Sequence, residues 1–544
     1  MTKSSVFSSD SSERKRKSNK ITDYRRGKNW MVYHDGSGNG NAFTVNIAVR
    51  AGAVHEPPHL AGMSHVLEHL LFKSQGRRIR ETVHAHGASI NAATSKDWTR
   101  YFVSCAPDQY DRFIDLLYDV VFVFKISRED VEKEKRIVLQ EKNETDDLVL
   151  DVLLNESFAG TPYEKSIIGN KKTVCAITLQ DLEAYHRLRY LGGGCVVAAT
   201  CPAGILDAVA ARLRRTFEDM GAPVPDACYD YLRGRDDYLD GGRECMHYDT
   251  CDGEYMSLLS SRQRDTKRRC QSVAFSDPHG EGASVGFNMA FRARPYDRRT
   301  HVITQFVAEV LTGDLMSTWY RKLREEQFHV YRLNMNTGET FAGAAVVSLC
   351  CVSDSDILTV FRAVSKMVTQ TLRDGVLADD KNKKHKSSSS DRLTALKRAF
   401  KTKQRLEFAS DAAAALERVT LDAFYTSACH YSGDNNESSP FRTIDELLDE
   451  IDGVTREEID EIAREMFSHP LVIILGNNDK SKRPEKFERE AHAAVEGMMT
   501  AGMMATATMK KEEDKESKKQ SKPNLKKQGK LADFATVVVE QQGR

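Results

Sequence analysis

The chain has 544 residues, 40% of them apolar, with 79 Lys and Arg against 79 Asp and Glu, a formal net charge of zero. That length allows more than one domain, and the balanced charge provides no global field for nucleic acid or an anionic membrane. No apolar run reaches the roughly 18–20 residues that a membrane-spanning helix needs.

Residues 1–27 read as a disordered basic tail. They lack the apolar stretch of a secretory signal, and Asp10, Glu13 and Asp23 interrupt the basic residues that a mitochondrial presequence would carry. The eleven cysteines are odd in number and form no Cys-x-x-Cys pair. They point to a reducing intracellular compartment, with the cytoplasm favoured over the mitochondrion.

In chain order, alternation predicts a strand at Phe43–Val49. An apolar helix follows at about 60–73, then a hairpin from Ser89–Thr94 to Thr99–Ser104. Amphipathic helices are expected at about 108–122 and 128–147. Thr178 opens a capped helix, and a strand at Cys195–Ala199 closes the half.

The second half repeats this order. A strand lies at Val285–Phe291, with helices at about 298–312 and 314–326. Strands near 328–336 and 343–352 precede a long helix at about 356–374. Thr455 then caps a helix that leads into the strand Leu471–Leu475. The reading is α+β, with two homologous α/β sandwich domains at 28–224 and 273–480. Residues 225–272 serve as a connector, 379–391 as a flexible Lys/Ser insertion, and 481–544 as a mostly disordered Lys/Glu-rich tail.

The chemistry concentrates in His65-Val66-Leu67-Glu68-His69. The two histidines lie four apart, on one face of the predicted helix, and Glu68 flanks that face. Two neutral imidazoles suit zinc, and a nearby carboxylate outside the ligand set can take a proton from water. The pieces are those of a His-Glu-x-x-His site in inverted order. Polar residues on an ordinary amphipathic helix would give the same pattern. However, Met63, Val66, Leu67, Leu70, Leu71 and Phe72 make this helix so apolar that buried polar groups on it need a partner. Two histidines are too few for a catalytic zinc, which takes three protein ligands and water. Glu141, on the helix at 128–147, is the candidate third. Glu134, two turns earlier on the same face, is a candidate to orient a ligand. A solvated surface Glu is the plain alternative for each.

With these residues in view, the chain resembles the pitrilysin-type (M16) metallopeptidases, most closely the short members related to mitochondrial processing peptidase. The resemblance is carried by Gly52, Glu56, Gly62 to Lys73, Asn91-Ala92-Ala93-Thr94, the helix from Glu134 to Glu141, and the Thr178 element. In the second half it rests on Leu323-Arg324-Glu325 with Tyr331 and on the segment from Asp445 to Phe467. It covers roughly residues 30–480. Ser74-Gln75 and His86-Gly87 depart from the family pattern. His84 and His86 there read as part of a flexible polar loop rather than as a second metal site.

The resemblance implies a zinc-dependent endopeptidase for peptides or unfolded polypeptide segments. His65, His69 and Glu141 would bind one zinc per chain, with Glu68 as the general base. Asn91 and Ala92 would line the strand beside which a substrate peptide adds. Arg324 and Tyr331 would hold the substrate backbone and stabilise the oxyanion. Because this half-length chain carries both motifs, it is expected to form a homodimer with composite sites, zinc from one subunit and the Arg/Tyr pair from the other. A heterodimer with an inactive partner is less favoured. The competing reading is a non-catalytic scaffold or core-type subunit on the same fold. A nucleic-acid partner rests only on charge runs and is not expected.

Overall fold

The computed structural model describes residues 23–34, 42–74, 76–144, 154–155, 157–158, 161–192, 195–218, 274–275, 286–314, 317–338, 344–351, 357–377, 389–429, 440–468 and 470–476, with isolated positions between 493 and 504. The expected connector and most of both tails and of the Lys/Ser insertion lie outside these residues.

The first lobe is built on a sheet of β1 (Tyr24–Arg26), β2 (Trp30–Tyr33), β3 (Phe43–Val49), β4 (Ser89–Thr94), β5 (Thr99–Cys105) and β6 (Cys195–Thr200), in the order β1-β2-β6-β3-β5-β4. Side chains alternate between faces along a strand, and here each face has its own core. Phe43, Val45, Ile47 and Val49 of β3 join Val197 and Ala199 of β6 beneath the lobe's helices. Ala48, with Val196 and Ala198, points the other way into a second cluster. These helices are α1 (Met63–Ser74), α2 (Gly76–His86), α3 (Tyr110–Phe122), α4 (Arg128–Glu144), α5 (Lys171–Ala176), α6 (Leu179–His186) and α7 (Leu206–Phe217). The expected cap is present: Thr178 Oγ1 accepts from Asp181 N at the start of α6.

The second lobe has β7 (Ala274–Phe275), β8 (Gly286–Arg292), β9 (Val330–Gly338), β10 (Ala344–Cys351) and β11 (Pro470–Gly476), in the order β7-β11-β8-β10-β9. Its topology repeats that of β2 to β6. β2 runs parallel to β6 and β7 to β11, and the remaining pairs are antiparallel. Its helices are α8 (Arg298–Thr312), α9 (Thr318–Tyr320, continued by a π-helical turn at Arg321–Glu326), α10 (Ile357–Asp374), α11 (Ser389–Ser410), α12 (Ala412–Cys429), α13 (Ile444–Asp449) and α14 (Arg456–Phe467). Thr455 caps α14 in a box with Glu458.

Several expectations are corrected. Tyr24–Arg26 falls in the stretch read as a tail, yet it pairs with β2. His84 and His86 lie on α2, not in a loop. Ile79 and Val83, one turn apart, pack that helix on the core, and His86 stacks edge-on against Phe113. The expected helix from 314 begins at Thr318 and widens to a π turn. Helices α7, α11 and α12 were not anticipated, and α11 starts inside the expected insertion, at Ser389.

Helix α12 ties the lobes together. Leu416, Val419, Phe424 and Tyr425 cover the outer face of the first sheet with Met31, Tyr33 and Trp98. Trp98 Nε1 donates to Tyr425 OH at 3.2 Å, and Arg100 pairs with Glu417 at 2.8 Å.

Candidate functional site

Helix α1 starts at a tightly built corner. Gly62 takes φ +97°, and a Cβ there would lie 2.6 Å from the Ile168 carbonyl oxygen, so only glycine fits. The buried Glu56 carboxylate accepts from Gly62 N at 2.7 Å and Ser64 N at 2.6 Å. It satisfies first-turn amides that a helix leaves unpaired and places negative charge at the positive end of the dipole. Burial raises the Glu56 carboxyl above its usual range, and these donors oppose the rise.

From that corner α1 carries His65, Glu68 and His69 to the floor of a cleft of about 1930 Å3. Their ring centroids put the two imidazoles 4.6 Å apart. Glu141 reaches them from α4, its Oε2 lying 3.4 Å from His69 Nε2 and 3.9 Å from His65 Nε2. One ligand atom from each of the three residues falls within 4.8 Å of the others. Burial, then the neighbouring His69, lowers the His65 pKa to about 3. His65 is therefore a neutral imidazole at neutral pH, the form that ligates a metal. The His65–Glu141 contact is therefore not an ion pair. Two imidazole nitrogens and a carboxylate oxygen turn lone pairs toward one point, and that donor set fits zinc.

The surroundings fix the orientation. Glu134 is buried on α4, with Oε1 3.2 Å from His69 Nδ1. A proton on Nδ1 donated to this carboxylate leaves Nε2 as the bare nitrogen facing Glu141. The other oxygen of Glu134 accepts from Lys73 Nζ at 2.7 Å. Glu68 points to the same cleft, and its Oε2 accepts from Thr94 Oγ1 at 2.7 Å. Burial raises the Glu68 carboxyl above the usual range, the Thr94 hydroxyl and His69 oppose this, and Glu141 adds to it. Lys73 and Thr94 were not picked out from the sequence as site residues. Lys73 is one turn beyond His69 and so was legible by helical spacing. Thr94 depends on how the hairpin docks on α1.

Asn91 and Ala92 lie on β4, an edge strand that borders the cleft beside the histidines. The opposite wall comes from the second lobe, including Asn334 and Asn336 of β9, the other sheet's edge strand. Arg324 and Tyr331 do come together, with the guanidinium 5.7 Å from the Tyr331 ring and 5.3 Å from Tyr320. Tyr331 is 68% exposed. Neither residue is among those that line the cleft holding His65 and His69.

The described structure has no helix long and apolar enough to cross a membrane. Residues 35–171 match the model of the insulinase family, peptidase family M16. The chain is 30% identical over 168 residues to the β subunit of the mitochondrial-processing peptidase of Caenorhabditis elegans, covering 29% of this chain and 37% of that protein. It spans only about a third of the length of the first such relatives. An uncharacterised zinc protease of Bacillus subtilis is 21% identical over 79% of this chain and 92% of its own. Among solved structures, a Helicobacter pylori protease matches with TM-score 0.60 and 14% identity, over 84% of this chain and 99% of its own. An M16 inactive domain from Pseudomonas fluorescens matches with TM-score 0.58 and 14% identity, over 85% and 99%. The likeness to these structures speaks for the fold, and the sequence matches relate residues 35–171 to the M16 (insulinase) family of peptidases.

Proposed function

We propose that the protein is a zinc-dependent endopeptidase acting on peptides or unfolded polypeptide segments. The observation that carries this reading is the convergence of His65, His69 and Glu141 within 4.8 Å, beside Glu68. A fold of this family also occurs as an inactive domain, so the argument rests on these side chains rather than on the architecture. The names of the relatives, zinc protease and mitochondrial-processing peptidase, agree with it.

His65, His69 and Glu141 would hold one zinc ion, which when bound supplies Lewis acidity toward the scissile carbonyl and toward water. Glu134 holds the His69 ring in place. Glu68 takes a proton from the attacking water and returns it to the leaving amine. An extended peptide would add to the free edge of β4 along Asn91 and Ala92, gaining main-chain hydrogen bonds with little demand on sequence. The cleft of about 1930 Å3 exceeds the several hundred Å3 that suit a small molecule and leaves room for a peptide segment.

Arg324 and Tyr331 would contact the substrate backbone of a second subunit. Their absence from this chain's cleft lining supports composite sites in a homodimer. The halves at 28–224 and 273–480 are the two domains in this reading.

Zinc analysis with peptide cleavage tests it. Glu68→Gln is expected to retain zinc and to lose about 10²–10⁴ in kcat. Equal activity in both proteins would end the mechanism. A monomer by gel filtration that still cleaves peptides would end the composite-site assembly.

A further inference from the structure

Glu68 is held at one oxygen by a side chain outside its own helix, and that side chain belongs to the strand proposed to receive the peptide. Thr94, the last residue of β4, donates its hydroxyl proton to Glu68 Oε2 at 2.7 Å. A threonine hydroxyl has a single proton to give, so this donation commits it to Oε2.

Both ends of the contact are anchored independently. On the strand side, Thr94 pairs with Thr99, and the turn beyond it closes by Ser95 N donating to Trp98 O at 2.8 Å. The turn is fastened to the segment before α1, with Ala53 N donating to Ser95 O and Val54 N to Lys96 O, at 3.2 and 2.9 Å. The Lys96 side chain is fully buried, its ammonium donating to the Lys165 carbonyl at 2.5 Å. Tyr163 OH donates to the buried Asp97. On the helix side, Glu56 clamps the first turn of α1. The β-branched Thr94 side chain has few rotamers to explore, so the hydroxyl is delivered to one place.

We propose that Thr94 is the positioning residue for Glu68: it occupies Oε2 and leaves Oε1 as the oxygen that faces the attacking water. The inference rests on the endopeptidase reading. In the step it supports, a water O–H bond breaks and its proton passes to Glu68 Oε1. The water oxygen bonds to the scissile carbonyl carbon, and the carbonyl π pair moves onto its oxygen. When the C–N bond breaks, Glu68 returns the proton to the amine. Thr94 neither gains nor loses a proton. Its location also links substrate and base, because a peptide lying along β4 docks on the strand that aims Glu68.

The test compares Thr94→Val, which keeps the branched shape without the hydroxyl, with Thr94→Ser, which restores it. A hydrogen bond to a charged group is worth enough that kcat is expected to fall about 10–100-fold in the Val variant. KM and zinc affinity by chelator competition should stay within about two-fold, since the Thr94 hydroxyl bonds Glu68 and not a zinc-ligand candidate, and Ser should recover most of kcat. Wild-type kcat in the Val variant, a loss that appears in KM or zinc affinity instead, or a failure of Ser to recover kcat would each overturn the assignment. An active wild type, an inactive Glu68→Gln and an unchanged Thr94→Val would sink this inference alone. A zinc-loaded wild type that cleaves no peptide would sink the endopeptidase reading together with it.

Discussion

The two lobes share one strand topology and place equivalent helices against the same cleft, yet they fill that place with opposite chemistry. In the first lobe α1 follows β3 and meets α4, and together they present His65, His69 and Glu141. In the second lobe α8 follows β8 and meets α11, and the cleft receives Gln305, Glu309 and Lys403 instead. Lys403 Nζ donates to both Glu309 oxygens, at 2.7 and 2.8 Å, and to the Gly313 carbonyl at 3.0 Å. Where the first lobe brings two imidazoles and a carboxylate together, the second pairs a carboxylate with an ammonium. The duplicated architecture provides the position, and a handful of side chains decides which chemistry it holds.

The sharpest way to break this comparison is to remove a ligand. His69→Ala should strip the zinc and lower peptide cleavage by more than about 10³-fold, because catalytic zinc needs three protein ligands. Metal analysis after gel filtration checks it, and retained zinc would show that His69 is not a required ligand. Next in size is the tie between lobes. Phe424→Ala, on α12, should cost about 3–5 kcal/mol in urea unfolding. It should also speed amide exchange in β3 and β6, since Phe424 is buried against the first sheet. Faster exchange confined to the second lobe would mean that α12 does not couple them.

Acid should loosen both lobes. Burial lowers the His186 pKa to about 4 in the first lobe, and burial with Arg418 lowers that of His301 in the second. A histidine that stays neutral when folded but protonates when unfolded contributes stability that is full above about pH 6.5. That contribution is lost as pH falls toward the folded pKa. For His186 it amounts to at most about 3 kcal/mol between about pH 6.5 and 4. Denaturation midpoints measured across that range should fall with pH, and His186→Gln should flatten the slope. The smallest effect belongs to the second-lobe ion pair. Lys403 and Glu309 are 46% and 21% exposed, so Lys403→Met should change stability by no more than about 1 kcal/mol. It should leave zinc content untouched.

Much of this was legible in the chain itself. Period-two alternation located β3, polar β-branched runs marked the hairpin of β4 and β5, and the Thr178 and Thr455 caps marked the helices that close each lobe. The spacing of His65, Glu68 and His69 put them on one helical face because the backbone repeats every 3.6 residues. Local rules of this kind need no knowledge of the rest of the chain. The helix of Leu416, Val419 and Phe424 shows the limit. An apolar stripe says that a face is buried, but not that its partner is a sheet whose strands lie hundreds of residues earlier in the chain.

The sequence by itself determined most of the strands, the helix that carries the histidines, the duplicated order and which residues could hold a metal. Only the tertiary structure decided that Glu141 meets the two histidines and that Glu134 holds His69 while Lys73 holds Glu134. It alone placed Thr94 on Glu68 and set Arg324 and Tyr331 outside their own chain's cleft. The reason is physical. Hydrogen bonds and ligand sets are fixed by distances of about 3 Å, and such distances between residues far apart in the chain arise only when the elements carrying them have packed.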